Sequence, residues 1–391
     1  MTTERNIDWK TCIAMGSVAT TMFTLYKLYK QQNTQTPKAV SGVEQLIGNT
    51  PLVEIPSLSN HTNSKIYAKL ELANPAGSAK DRVALNIILT AEKQGLLIRG
   101  EPGWVFEGTS GSTGISIAMI CNALGYRAHI SLPDDTSLEK MALLESLGAV
   151  VNPVKPASIV DPDQYVNAAK KACNEMITKN GVKAVFADQF ENEANWRVHF
   201  ETTGPEIYQQ MDGHIDGFIA GCGTGGTITG VARYLKEKRG LTQLHVVLGD
   251  PQGSGFYHRI NHGVMYDTVE KEGTRRRHQV DTIVEGVGLN RITANFSHGE
   301  TRIDEAVRVS DDQAIKMAKY LSVNDGLFVG SSTAINAVVA VKVAEQLQAQ
   351  GLTCPRIVII ACDSGSRHLS KFWKVAKDID RDISLDEVMQ D

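Results

Sequence analysis

Cysteine pairs are missing from this 391-residue chain: Cys12, Cys121, Cys173, Cys222, Cys354 and Cys362 are scattered, and no two stand in a C-x-x-C spacing. That excludes a disulfide framework and a zinc knuckle, and leaves core thiols in a reducing compartment as the expectation. Charge of one sign is missing too. The formal net charge is −4 with 21% charged residues, so there is no basic footprint for nucleic acid, and a small molecule is the expected partner. No repeat of fixed period is visible. Long apolar runs are scarce: between Lys10 and Lys27 lie 16 uncharged residues, TCIAMGSVATTMFTLY. As a helix these would span about 24 Å, short of a hydrocarbon core of roughly 30 Å.

Residues 1–40 differ from the rest. The uncharged run at 11–26, flanked by Lys10, Lys27 and Lys30, has too little apolar character for a secretory signal, and with Arg5 alone it is too poor in arginine for a transit peptide. It resembles a signal anchor of the mitochondrial outer membrane, with the body facing the cytosol; a peripheral extension on a cytoplasmic protein is the alternative. The polar stretch Gln31 to Pro37 reads as a linker. The body is expected from Ser41.

What is present in the body is alternation. Apolar strand-like runs at 104–106, 128–132, 218–221, 245–249 and 356–362 are each followed or preceded by longer helical patterns. Such alternation predicts an α/β fold of parallel sheets covered by helices. Residues 251–282 break the rhythm and read as an inserted excursion, while the acid-rich residues 376–391 read as a solvated tail. His258 and His262 stand four apart, but no further ligand pattern accompanies them, so no metal is expected. Arg275, Arg276 and Arg277 read as loop surface.

Two glycine-rich segments follow strand-like runs and open helical ones, which presents unpaired N–H groups to an anion. They are EGTSGSTG (107–114) and GCGTGGT (221–227). The second also satisfies G-x-G-x-x-G through Gly221, Gly223 and Gly226, with Asp250 placed where a ribose-binding acid would sit, so a nicotinamide-dependent oxidoreductase is a competing reading. That reading explains neither the first loop nor NPAGSAKDR (74–82). In the latter, Lys80 follows the small residues Ala76, Gly77, Ser78 and Ala79 and precedes a helical run, so a planar cofactor could approach the backbone and the amine could form a Schiff base. On local pattern alone Lys80 reads rather as a surface lysine pairing with Asp81.

IGNTPL (47–52), NPAGSAKDR, EGTSGSTG, QF-x-N-x-AN (189–195), TTGPEIY (202–208) and GCGTGGTITG (221–230) together resemble the cysteine synthase and cystathionine β-synthase family, over roughly Ser41 to Lys374. The resemblance implies pyridoxal 5′-phosphate (PLP) as cofactor, the two-lobed fold type II shared with tryptophan synthase β, and a homodimer. It makes Lys80 the Schiff-base lysine and catalytic base, and Gly223, Thr224, Gly225, Gly226 and Thr227 the phosphate cradle. Thr109, Ser110, Gly111, Ser112 and Thr113 become the loop gripping the substrate carboxylate, with Gln189 opposite, and Ser332 meets the pyridine nitrogen; a helix N-cap is the other reading of Ser332. The implied division is a large PLP-binding lobe at 41–82 and 189–375, carrying the 251–282 insertion, and a small mobile lobe at 83–188. Ser112 departs from the family's asparagine, whose amide contacts the cofactor's phenolic oxygen.

The implied reaction is β-replacement on O-acetylserine or serine by sulfide or a thiol, giving cysteine or a thioether. A hydroxyl beside the ring nitrogen suits it, because it cannot hold the ring protonated as a carboxylate would, and loss of a β-substituent becomes the easier exit. A cysteine desulfhydrase or serine-type lyase, a cystathionine β-synthase, and a tethered PLP-binding protein without catalysis stay open as alternatives.

Overall fold

The computed structural model describes residues 39–267 and 282–390. The uncharged run at 11–26 and Arg275 to Arg277 lie outside them. Among the described residues, ten strands form two sheets. β1 (Leu52–Glu54), β2 (Lys65–Leu70), β7 (Gly217–Gly221), β8 (His245–Pro251), β9 (Glu305–Val309) and β10 (Arg356–Ala361) make the larger, in the order β1-β2-β10-β7-β8-β9. β3 (Gly103–Gly108), β4 (Arg127–Pro133), β5 (Val150–Val154) and β6 (Lys183–Phe186) make the smaller, ordered β5-β4-β3-β6. All neighbours are parallel except β1, which runs antiparallel to β2 at the edge.

The central strands are apolar along their whole length because helices cover both faces. In β10, Ile357 to Ala361 are buried, and β8 is buried from Val246 to Pro251. The helix Ser331–Ala349 shows why: Ala334 to Val341 are all buried, so the helix is apolar around its circumference and lies inside the larger body against β7, β8 and β10. A separate apolar cluster, drawn from the helices Lys80–Lys93 and Ser112–Leu124 and from β3 and β4, forms the core of the smaller sheet.

Three local expectations are revised. The excursion after β8 begins with an ordered helix, Phe256–His262, whose Phe256 is fully buried against Phe296. The acidic C-terminal stretch is not simply solvated: Leu385–Met389 is helical, buries Leu385 and Val388 in the main core, and is opened by a capping box between Ser384 and Glu387. Of the expected core thiols, Cys121, Cys173 and Cys222 are buried, but Cys354 is exposed and Cys362 only partly buried. His258 Nδ1 donates to the Tyr266 carbonyl at 2.8 Å with the Arg308 guanidinium beside it; among the described residues no group of three or more His, Cys, Asp or Glu could hold a metal ion.

Candidate active site

Parallel sheets open their functional surface at the carboxyl ends of their strands. Segments following β3, β4, β6, β7 and β10 there line one cleft of about 660 Å³, a volume suited to a cofactor with its substrate. Lys80, Thr109, Ser110, Gly111, Ser112, Thr113, Gln189, Gly223, Thr224, Gly225, Gly226, Thr227 and Ser332 all line it, so the residues singled out in the sequence, distant along the chain, share one cavity.

Lys80 is the first residue of the helix Lys80–Lys93, after a glycine turn in which Gly77 has φ +80°. Its pairing with Asp81 does not occur. Asp81 points inward, accepting from the Ala76 amide at 2.6 Å and the Ser116 hydroxyl at 2.5 Å, while burial lifts its carboxyl to about 6. Arg82 is buried as well: it donates to both oxygens of Glu71 at 2.8 and 2.9 Å and to Glu206 at 2.6 and 2.7 Å. Lys69 reaches Glu206 at 2.6 Å. This internal ion network anchors the helix start that carries Lys80 to β2 and to the helix Gly204–Gln210.

The loop between β7 and the helix Gly226–Arg233 turns at Gly225, φ +85°. Its glycines are needed for space. A Cβ on Gly223 would lie 2.3 Å from the Gly286 carbonyl oxygen, on Gly225 2.7 Å from Phe296 Cα, and on Gly226 1.9 Å from Asn195 Oδ1. Asn195 donates to the Thr224 hydroxyl at 2.9 Å and to the Gln189 carbonyl at 2.7 Å, tying this loop to the opposite wall. Thr227 contacts His199 Nε2 at 3.2 Å. Burial, and then the positive charges of Arg82 and Lys80, push His199 well below its usual range, so it is a neutral ring.

On the other wall, Thr113 donates to Gln189 Oε1 at 2.6 Å and Gln189 Nε2 donates to Glu107 Oε1 at 3.1 Å. Glu107 is fully buried, which lifts its carboxyl to about 8 against the opposing Gln189 N–H. Ser112 opens the helix Ser112–Leu124 and donates to Asp363 Oδ2 at 3.3 Å. Ser332 is the second residue of its helix; Gly330 is the N-cap and no side chain caps it, which overturns the capping reading. The sequence also gave no sign of Asp363, His368, Glu285 and Lys140, which line the same cleft and bond in series, and Asn195 was legible only as part of its motif.

Asp250, the acid a ribose would require, is fully buried within β8 and accepts from the Tyr257 amide at 2.7 Å; it is not part of the cleft wall. The nicotinamide reading of the second glycine loop loses its support.

Comparison with known proteins agrees with these observations. Residues 43–363 match the family described as pyridoxal-phosphate dependent enzyme. The chain is 72% identical over 389 residues, 99% of itself and 98% of the relative, to a Saccharomyces cerevisiae protein named "Putative mitochondrial cysteine synthase". It is 55% identical over 338 residues, 86% of itself and 73% of the relative, to cysteine synthase 2 of Neurospora crassa. To the cystathionine beta-synthase of Rattus norvegicus it is 35% identical over 356 residues, 89% of itself and 59% of the relative. The chain thus belongs to the pyridoxal-phosphate dependent enzyme family, in its cysteine synthase and cystathionine β-synthase group.

Proposed function

We propose that this chain is a PLP-dependent cysteine synthase, replacing the β-substituent of O-acetylserine or serine with sulfide or a thiol. The observation that carries the reading is the convergence on one cleft of Lys80 at a helix start and a glycine cradle that admits no Cβ. The residues fit the cofactor. Gly223 to Thr227 would hold its phosphate through the loop amides and the first turn of the following helix, where intrahelical partners are lacking. Ser332 would meet the ring nitrogen.

When bound, the cofactor supplies an aldehyde for amines and a conjugated ring that draws electrons from the α-carbon. The rest falls to the protein. Thr109 to Thr113 hold the substrate carboxylate, and Gln189, oriented by Thr113 and Glu107, limits its rotation. The Lys80 Nζ would hold the cofactor's aldehyde and, when free, would take the α-proton as general base. The Ser332 hydroxyl, a neutral group, would leave the ring nitrogen without a carboxylate, which would favour departure of the β-substituent over other fates of the α-carbon.

The test is a product assay on purified protein with O-acetylserine, serine and cysteine, each with and without sulfide, alongside Lys80→Ala. Cysteine should form from O-acetylserine and sulfide, and Lys80→Ala should abolish both turnover and the borohydride-reducible visible absorbance. A variant that still carries a reducible chromophore would refute the assignment of Lys80.

The name and near-complete coverage of the Saccharomyces cerevisiae relative support a mitochondrial location. A finer reading makes residues 11–26 an outer-membrane anchor with the body facing the cytosol; among the described residues no helix is long and apolar enough to cross a membrane. Alkaline carbonate should leave the full chain in the membrane pellet and release a chain lacking residues 1–40. The assembly proposed is a homodimer, with residues 83–188 moving as a small lobe against 41–82 and 189–375; light scattering of the purified protein tests the first.

A further inference from the structure

Ser112, where the sequence departs from the family pattern, and the loop at 284–290 are joined by a chain of polar contacts. Lys140, on the helix Leu138–Ser146 beside the smaller sheet, donates to Glu285 Oε2 at 2.8 Å. His368 Nδ1 meets the same oxygen at 2.9 Å, and His368 Nε2 meets both oxygens of Asp363 at 3.1 Å. Asp363 in turn accepts from Ser112. An imidazole with carboxylates on both nitrogens must donate from both, so the ring is an imidazolium. Both nitrogens are thereby committed, and at 5% exposure the ring has no donor left for a substrate. Whatever it does for the reaction, it does through its partners.

Those partners surround the two serines assigned to the cofactor. Asp363 fixes the one proton of the Ser112 hydroxyl, leaving only lone pairs to face the cleft. Its carbonyl accepts from the Gly330 amide at 3.0 Å, and Gly330 caps the helix whose second residue is Ser332. The approach is so close that a Cβ on Gly330 would fall 2.1 Å from Asp363 Oδ1 and 2.7 Å from His368 Nε2. The Glu285 amide completes the ring of contacts by donating to the Ser331 hydroxyl at 3.0 Å.

We propose that His368 is a positioning residue for the reaction, holding Asp363 against Ser112 and the Ser332 helix start and, through Glu285 and Lys140, bracing the smaller-sheet wall of the cleft against the larger. The proposal rests on the cofactor reading above. The charged groups lining the cleft with the cluster are Asp135 and Lys140 from the segment after β4, Glu285 from the 282–290 loop, Asp363, Arg367 and Lys371 from the segment after β10, and Lys80 across the cleft. Cations and anions alternate along the series. Burial opposes the charge on His368, but the bonds to Asp363 and Glu285 outweigh it and lift the ring to about 9. Deprotonation therefore strips the donor from one carboxylate only in alkali.

The experiment uses the PLP-loaded enzyme and two readouts, the visible absorbance of bound cofactor against pH, and kcat and KM separately for O-acetylserine with sulfide. The wild type should show an alkaline transition near pH 9 in both. His368→Gln, neutral and with its donors on one nitrogen so that it cannot bridge both carboxylates, should abolish that transition and lower kcat at least ten-fold with less effect on KM. Glu285→Gln keeps the ring but removes one of its two anions, so the transition should move to lower pH. A His368→Gln enzyme with wild-type spectrum, kcat and transition would overturn the positioning role. Should that variant fail to fold, an unmoved transition in Glu285→Gln overturns it equally. A wild-type protein with no visible absorbance would instead overturn the cofactor reading and this inference with it.

Discussion

Arg82→Met should destabilise the body severely although the residue touches nothing in the cleft. Its guanidinium is 2% exposed, and Glu71 beneath it is wholly buried. Without it Glu71 keeps only the Thr50 hydroxyl at 2.7 Å and the Asn74 amide at 3.1 Å as donors, while Glu206 still holds Lys69 at 2.6 Å. Breaking a buried pair costs about 3–5 kcal/mol, and with Glu206 compensated the lower end applies, about a hundred-fold or more in the unfolding equilibrium. Urea unfolding at pH 7, followed by tryptophan fluorescence, measures it. Glu206 adds a signature in pH. Burial raises its carboxyl, but Arg82 and then Lys69 override this and hold it at about 2, below the ordinary 4.5. The stability it contributes is therefore complete above pH 4.5 and lost as pH falls toward 2; without Arg82 the folded carboxyl moves back toward 4.5, so that acid-side loss should shrink. Removing the stranded charge as well, in Glu71→Met with Arg82→Met, should recover part of the deficit, because an apolar pair carries no desolvation cost. A loss below about 1 kcal/mol in the single variant, on the scale of an exposed pair, or a double variant weaker than the single, would refute this account.

Gly226→Ala puts a methyl 1.9 Å from Asn195 Oδ1, an atom on a side chain tied at both ends, so PLP affinity should fall at least ten-fold by cofactor titration; an unchanged affinity would show that the loop yields freely. Ser112→Asn supplies two N–H donors, one for Asp363 and one for the cleft, and should raise cysteine formation from O-acetylserine; a fall in that rate together with loss of pyruvate formation from cysteine would mean that serine serves a different specificity. Glu107 is lifted by burial from 4.5 to about 8, so the folded body should lose stability as pH rises through that interval, and Glu107→Gln should flatten the slope in denaturation measured across it.

The strands read from the sequence, β3, β4, β7, β8 and β10, are interior to their sheets and announce themselves as unbroken apolar runs. Those it did not reveal include β1, β9, β5 and β6, the four sheet edges, where the half-buried Glu305 and Arg308 and the exposed Lys183 interrupt the pattern. β2 escaped for another reason: Lys69 within it is buried by the ion network rather than by apolar contact. In the site, glycine loops and the Lys80 segment were legible because backbone geometry writes itself into local sequence. The series from Lys140 to Ser112 was not, since its members meet only through tertiary packing and no local rule links them. The C-terminal helix did carry a sign, Ser384 three residues before Glu387, which the surrounding acids obscured.

The strand order has a consequence for how the chain is made. β10 lies between β2 and β7, yet it is the last strand in sequence, whereas all four strands of the smaller sheet come from one uninterrupted stretch. A nascent chain emerging from the ribosome can complete the smaller sheet while β2 and β7 still lack the neighbour that joins them. Pairings of such long sequence separation form late, and until β10 arrives two hydrophobic strand edges stay open to other chains. A truncation just before Arg356 should consequently aggregate, where one that removes only Gln390 and Asp391 should still fold.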